Sequence, residues 1–148
     1  MKGPSMERKK ILVVDDEPSV LDYIHEVLTL DGYESFPYSD ASTALTLLAS
    51  GVSLDLAIVD LNMPDMNGLE FHAQIKHLRP RLPCIVVTGQ SSVESYLNAI
   101  NSGVYEYLNK PFRSSELKAV VAAALEKATM TSGGGPGQIQ SSTFDGGL

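Results

Sequence analysis

Three carboxylates, one hydroxyl and one ammonium in this 148-residue chain each stand at the end of a short apolar run. ILVV leads into Asp15 and Asp16, LAIV into Asp60, CIVV into Thr88, and YEYLN into Lys110. Each has an ordinary reading by itself. Asp15 and Asp16 suit a turn or the cap of a helix beginning at Pro18, Pro64 and Gly68 suit turn punctuation, and Lys110 suits a surface. Together they suit something else. Crowded carboxylates repel, so one tends to stay protonated. A divalent cation removes that penalty, and oxygen ligands that leave positions for water and phosphate suit Mg2+. Lys110 adds a point charge for a phosphoryl oxygen, and Thr88 can donate a hydrogen bond to another. Asp60, with the small-residue loop LNMPDMNG behind it, is free to act as a nucleophile. Carboxylates form acyl phosphates, and phosphoryl transfer asks mainly for positioning and charge neutralisation.

Such a set works only if the chain brings distant residues to one edge. Strand patterns occur at 10–15, 33–38, 54–60, 82–88 and 104–109. The runs ILVV, LAIV and CIVV are continuous rather than alternating, as expected of parallel strands covered on both faces. Pro37 cannot donate to a ladder, which predicts an edge position for the second strand. Helical spacing links the strands. One apolar row is Val20, Leu21, Ile24, Val27 and Leu28, ending near Asp31 and Gly32. A second is Ala41, Ala44, Leu45 and Leu48, with Asp40 placed to cap it. A third is Leu69, Phe71, Ile75 and Leu78, stopped by Pro80. A fourth is Val93, Tyr96, Leu97 and Ile100, and a fifth runs from Leu117 to Ala128. Five β-α units with right-handed crossovers make an α/β fold. In a parallel sheet every C-terminal strand end lies at the same edge, where ligands of open α/β sheets bind.

Composition narrows the rest. The net charge of −7 repels phosphate backbones and argues against direct nucleic-acid binding. No apolar run approaches the roughly 20 residues of a membrane span, and the N-terminus lacks a signal h-region. The lone Cys84 cannot form an internal disulfide, reads as a small buried residue and fits a cytoplasmic setting. Residues 1–7 read as a disordered N-terminus or expression scar. Residues 131–148, rich in Gly and Ser, read as a flexible tail or linker. Residues 8–130 form the expected domain.

The motifs VVDDEP (13–18), DLNMPDMNG (60–68), VVTG (86–89) and YEYLNKPF (105–112), in that order, resemble those of the receiver domains of two-component response regulators. The resemblance implies a flavodoxin-like, doubly wound (βα)5 fold with a five-stranded parallel sheet of order 2-1-3-4-5. It also implies a regulatory phosphoacceptor rather than an enzyme. Asp60 matches the phosphorylated residue. Asp16 and Asp60 match direct Mg2+ ligands, Asp15 acts mostly through water, and the backbone carbonyl of Asn62 completes the protein ligands. Thr88 and Lys110 match the pair that senses the phosphoryl group. Tyr107 matches an aromatic switch that turns inward when Thr88 moves. The Lys110–Pro111 bond is expected to be cis. Val104 and Glu106 stand where Ala and Asp are more usual. The implied partners are a sensor histidine kinase or phosphotransfer protein, and a second copy through the surface of the fourth helix, fifth strand and fifth helix.

Two rival readings are weaker. Aspartyl-nucleophile phosphatases of the haloacid-dehalogenase type need D-x-D after the first strand and a cap insertion, whereas this chain has adjacent Asp15 and Asp16 and no such insertion. A receiver that is never phosphorylated usually lacks at least one of the Asp, Thr and Lys residues present here. His25, His72 and His77 read as helix-surface residues, and Glu17 as solvated.

Overall fold

In the computed structural model, which describes residues 7–133, the three continuous apolar runs form the middle of one sheet. The strands are β1 (Lys10–Val14), β2 (Glu34–Tyr38), β3 (Leu56–Asp60), β4 (Cys84–Thr88) and β5 (Glu106–Asn109). All pair in parallel, in the order β2-β1-β3-β4-β5. Pro37 therefore sits on an edge strand, opposite Val13. Every residue of β3 and β4 is buried, as continuous runs require.

The helices are α1 (Pro18–Leu30), α2 (Ala41–Ala49), α3 (Gly68–Leu78), α4 (Val93–Asn101) and α5 (Ser114–Gly133). They cover both faces because successive strand side chains point to opposite sides. Ile11, Val13, Ile58, Ile85 and Val87 pack with Ile24 and Leu28 of α1 and Leu117 and Val121 of α5. Leu12, Val14, Val59 and Val86 pack on the other face with Leu48, Phe71, Ile75 and Ala99. Each fully buried Leu or Ile stabilises the fold by about 1.5–3 kcal/mol, which fixes the sheet that carries the site.

Local signals act as expected at several helix ends. The Asp40 side chain accepts from Thr43 N at 2.7 Å and caps α2. Gly32, with φ +93, lets the chain turn after α1 at no Cβ penalty. The cap of α1 is Glu17, without a side-chain hydrogen bond and with Pro18 following, so neither Asp15 nor Asp16 caps that helix.

Helical spacing left open what covers the apolar row of α4, and the expectation for His72 is corrected. The apolar row of α4 points outward: exposure runs from 38% at Ile100 to 76% at Val93, and Ala99 is the buried residue of this helix. A small side chain is what this nine-residue helix sets against the sheet. His72, expected on the surface, is buried in α3, which is covered both by the sheet and by α2. Burial, and then the nearby Lys76, push its pKa down and favour the neutral ring. Cys84 is buried as expected, its thiol pushed up to about 12 by burial.

The helix α5 continues to Gly133. Residues 1–6 of the expected N-terminal segment and 134–148 of the expected tail lie outside the described residues. Among the described residues no helix is long and apolar enough to cross a membrane.

Candidate functional site

The parallel sheet delivers the chemistry-bearing residues to one edge. Asp60 is the last residue of β3 and Thr88 the last of β4, while Asp15 directly follows β1 and Lys110 directly follows β5. Carboxylate oxygens of Asp15, Asp16 and Asp60 lie within 4.8 Å of one another. Lys110 Nζ reaches Asp15 Oδ2 at 3.0 Å and Asp60 Oδ2 at 3.5 Å. Its third contact is Glu17 Oε1 at 2.9 Å; Glu17 is exposed, as expected, and also joins this cluster. These groups open into a cavity of about 660 Å³ lined by Asp16, Asp60, Asn62, Gln90 and Lys110. The peptide bond from Lys110 to Pro111 is cis.

Burial dominates the electrostatics. Asp15 is 0% exposed and Asp60 3%. Burial, joined by the Asp15 charge, pushes the pKa of Asp60 up to about 6 against the lowering effect of a hydrogen bond from Asn62 N at 3.1 Å. Burial also raises Asp15, although Glu17 N donates to its Oδ1 at 2.9 Å. For Lys110, burial favours the neutral form, but Glu17, Asp15 and Asp60 outweigh it and its pKa rises. Asp15 Oδ2 has the Lys110 charge beside it but no aligned hydrogen-bond donor. One ammonium thus faces four carboxylates. An all-oxygen cluster short of positive charge fits a hard divalent cation.

The loop behind Asp60 is held by three contacts. Leu61 N donates to Val87 O at 2.9 Å, and Gly68 N donates to Leu61 O at 2.8 Å. Asp65, from the same loop, accepts from Ala41 N at 3.1 Å and ties the loop to the start of α2. Gly68 is more than a turn residue. A Cβ there would lie 2.5 Å from Leu61 Cα and 2.8 Å from Asp60 O, closer than real Cβ atoms come.

Thr88 is fully buried, and its Oγ1 accepts from Gln90 N at 3.0 Å and Asn62 Nδ2 at 2.9 Å. Both lone pairs are engaged, which leaves the hydroxyl hydrogen to donate. Tyr107 pairs with Val86 across the β4–β5 ladder, and Thr88 lies two residues further along β4. Thr88 and the Tyr107 ring therefore share one face of the sheet. Tyr107 is buried, its hydroxyl 2.6 Å from Ser95 Oγ and its ring edge-on to Tyr96 at 5.3 Å. Ser95 also completes a capping box with Ser92 at the start of α4.

Sequence reasoning missed the side chains of Glu17, Asn62, Asp65 and Ser95. Ser92-x-x-Ser95 was the one local signal, and it is weak because a capping box ordinarily carries Glu or Gln at its second position.

The chain matches the family described as response regulator receiver domain over residues 11–122. It is 38% identical over 124 residues to the DNA-binding transcriptional regulator NtrC of Azospirillum brasilense, covering 84% of this chain and 26% of that protein. The chain thus spans about a quarter of that relative's length. Among solved structures it resembles the CheY-like receiver domain protein of Methanospirillum hungatei JF-1, with a TM-score of 0.80, 31% identity, and coverage of 84% of this chain and 98% of that one. It also resembles the beryllofluoride-activated NtrC4 receiver domain dimer, with a TM-score of 0.77, 31% identity, and coverage of 80% and 98%. The site at the sheet edge is therefore positioned for phosphoacceptor chemistry, and the chain belongs to the response regulator receiver domains, which are regulatory phosphoacceptors rather than enzymes in the ordinary sense.

Proposed function

We propose that Asp60 accepts a phosphoryl group from a phosphohistidine, carried by a sensor histidine kinase or a phosphotransfer protein. A carboxylate oxygen of Asp60 attacks phosphorus. The new P–O bond forms as the P–N bond breaks, and the imidazole leaves with the electron pair and is reprotonated from solvent. The observation that carries this reading is the buried Asp60 carboxylate, 3.5 Å from Lys110 Nζ and within 4.8 Å of two further acids.

Asp15, Asp16 and Asp60, with the backbone carbonyl of Asn62, are the residues to hold Mg2+. When bound, Mg2+ supplies charge neutralisation at the phosphoryl oxygens. Lys110 gives up its share of Asp60 and holds a phosphoryl oxygen by point charge. Thr88 donates its free hydrogen to another. In doing so it draws away from Asn62 Nδ2 and Gln90 N, and Tyr107, on the same face, responds. Coupling of this kind needs an element with two arrangements that the phosphoryl group biases. The Thr88 and Tyr107 contacts are that element.

The output surface is that of α4, β5 and α5. Its support is the outward apolar row of Val93, Tyr96, Leu97 and Ile100. That row suits a second copy or an output partner, and the similar NtrC4 receiver domain is a dimer. Residues 8–130 are the proposed receiver unit, and the activity of any larger protein containing it follows from whatever that unit controls.

The test is intact-mass measurement after incubation with acetyl phosphate and Mg2+. One labile phosphoryl group is expected on the wild type and none on Asp60→Asn. Equal labelling of the two would place the acceptor elsewhere.

A further inference from the structure

The chain is acidic, with a net charge of −7, yet the opposite edge of its sheet is not. A groove of about 1260 Å³ runs there between the turn after α3, the turn before β5 and residues 124–128 of α5. Five of the 11 Lys and Arg side chains line it, with Asp55 as the acid among its lining residues. Asp55 already accepts from Lys10 N at 2.8 Å. Arg79 already donates to the carbonyls of Leu48 and Val52. That leaves Lys9, Lys76, Arg81 and Lys127. Among the described residues no carboxylate lies within ion-pair distance of any of the four. Lys127 instead lies over the Tyr105 ring, 5.9 Å from its centroid. Four cations without an ion pair share one groove with a single lining carboxylate, Asp55, so an anionic occupant relieves their repulsion.

Size and wall chemistry decide which anion. The groove exceeds the roughly 300–1,000 Å³ of small-molecule sites. Leu78, Leu82 and Val104 give it apolar walls, which a free phosphate would leave wet. An extended segment with carboxylates for the cations and apolar side chains for the walls satisfies both. We propose that this groove docks an acidic polypeptide segment of a partner protein, its carboxylates interleaved with apolar residues. Docking there leaves the Asp60 edge free, so a partner can be held while the phosphoryl site is open.

The test is an amide NMR titration of the 15N-labelled chain with a short synthetic peptide in which glutamates alternate with leucines. Saturable shifts are expected at groove residues 78–83, 103–105 and 124–128, and they should weaken as salt rises. A peptide with lysines in place of the glutamates should give none. The double variant Arg81→Glu/Lys127→Glu should weaken binding by about tenfold or more. Lys9→Glu provides an independent reading from another element. All three side chains are exposed, and an unchanged melting temperature separates lost binding from lost folding. Three outcomes overturn the proposal. One is equal binding by the charge-reversed variants. Another is shifts with inorganic triphosphate but none with the peptide, which marks a small-anion site. The third is shifts on raising the chain's own concentration alone, which gives the groove to a second copy.

Discussion

The two flanks of Asp60 are built from different materials. On one flank stand the β1 end and the loop behind β3, where charges are buried and pinned. Asp15 is fully enclosed, Lys110 bridges it to Asp60, and Gly68 presses the loop backbone against the strand end. On the other flank stand Thr88 at the end of β4, Tyr107 within β5 and the start of α4, where the polar contacts are neutral. Asn62 meets Thr88, and Ser95 meets Tyr107, through amide and hydroxyl groups. Beyond them α4 turns its apolar row to solvent. The lesson is one of cost. Removing one partner from a buried charge pair costs about 3–5 kcal/mol. A neutral hydrogen bond is worth about 0.5–1.5 kcal/mol. The charged flank resists rearrangement, and the neutral flank can exchange partners at a cost that a phosphoryl group can supply.

The largest break in this contrast comes from the pinned flank. Gly68→Val pushes side-chain atoms into the Leu61 backbone, which has no flexible end to yield. Overpacking against backbone should cost upwards of about 3 kcal/mol, read as a lowered urea midpoint at unchanged slope. A midpoint within error of the wild type would mean that the loop is not held as described.

The second effect is the pH dependence of the metal-free chain. Asp60 has a folded pKa of about 6 against an ordinary 3.8. Below both values it is protonated in either state and contributes no pH dependence. As pH rises between them, the unfolded chain releases the proton first, so stability falls. The total loss is on the order of 2–3 kcal/mol, complete above about pH 6. Chemical denaturation in a chelator across pH 4–7, wild type minus Asp60→Asn, isolates it. The wild type should decline more steeply than the variant, and saturating Mg2+ should offset the decline by mass action. Asp16→Asn, which removes one repelling carboxylate, should raise the metal-free melting temperature while weakening Mg2+ binding. Parallel pH curves for wild type and Asp60→Asn would contradict the burial argument.

The neutral flank should respond more gently. Ser95→Ala removes the partner of the Tyr107 hydroxyl and half of the α4 capping box. About 1 kcal/mol is expected, together with faster hydrogen exchange at the first turn of α4. Exchange unchanged at that turn would mean that Ser95 does not join the ring to the helix.

The difference between the flanks also marks where sequence ran out. Element order, the edge position of β2 and the sheet edge that gathers Asp15, Asp60, Thr88 and Lys110 were all legible. They follow from continuous apolar runs, one proline and the geometry of parallel strands. The helical spacing of Val93, Leu97 and Ile100 was legible too, but not its direction. Periodicity says that a helix has an apolar face without saying what covers it, and α4 shows the face uncovered. His72 failed for the converse reason, since α3 is covered on two sides and a polar type gave no warning. Asn62 with Thr88, and Ser95 with Tyr107, join residues 26 and 12 positions apart. Pairings of that kind depend on side-chain directions that no local pattern carries. Gly68 was read as a turn, but its φ is not positive, and close backbone approach is what excludes a side chain there.

The division of labour between the flanks is tested most directly by Thr88→Ala, compared with the wild type by amide NMR with and without beryllofluoride and Mg2+. The substitution leaves Asp15, Asp16, Asp60 and Lys110 in place. The variant should therefore still take a phosphoryl group from acetyl phosphate by intact mass. Its beryllofluoride-dependent shifts at residues 91–107 should nonetheless be much smaller than those of the wild type. Equal shifts in the two proteins would contradict the account, because the signal would then leave the site by a route that does not pass through the Thr88 hydroxyl.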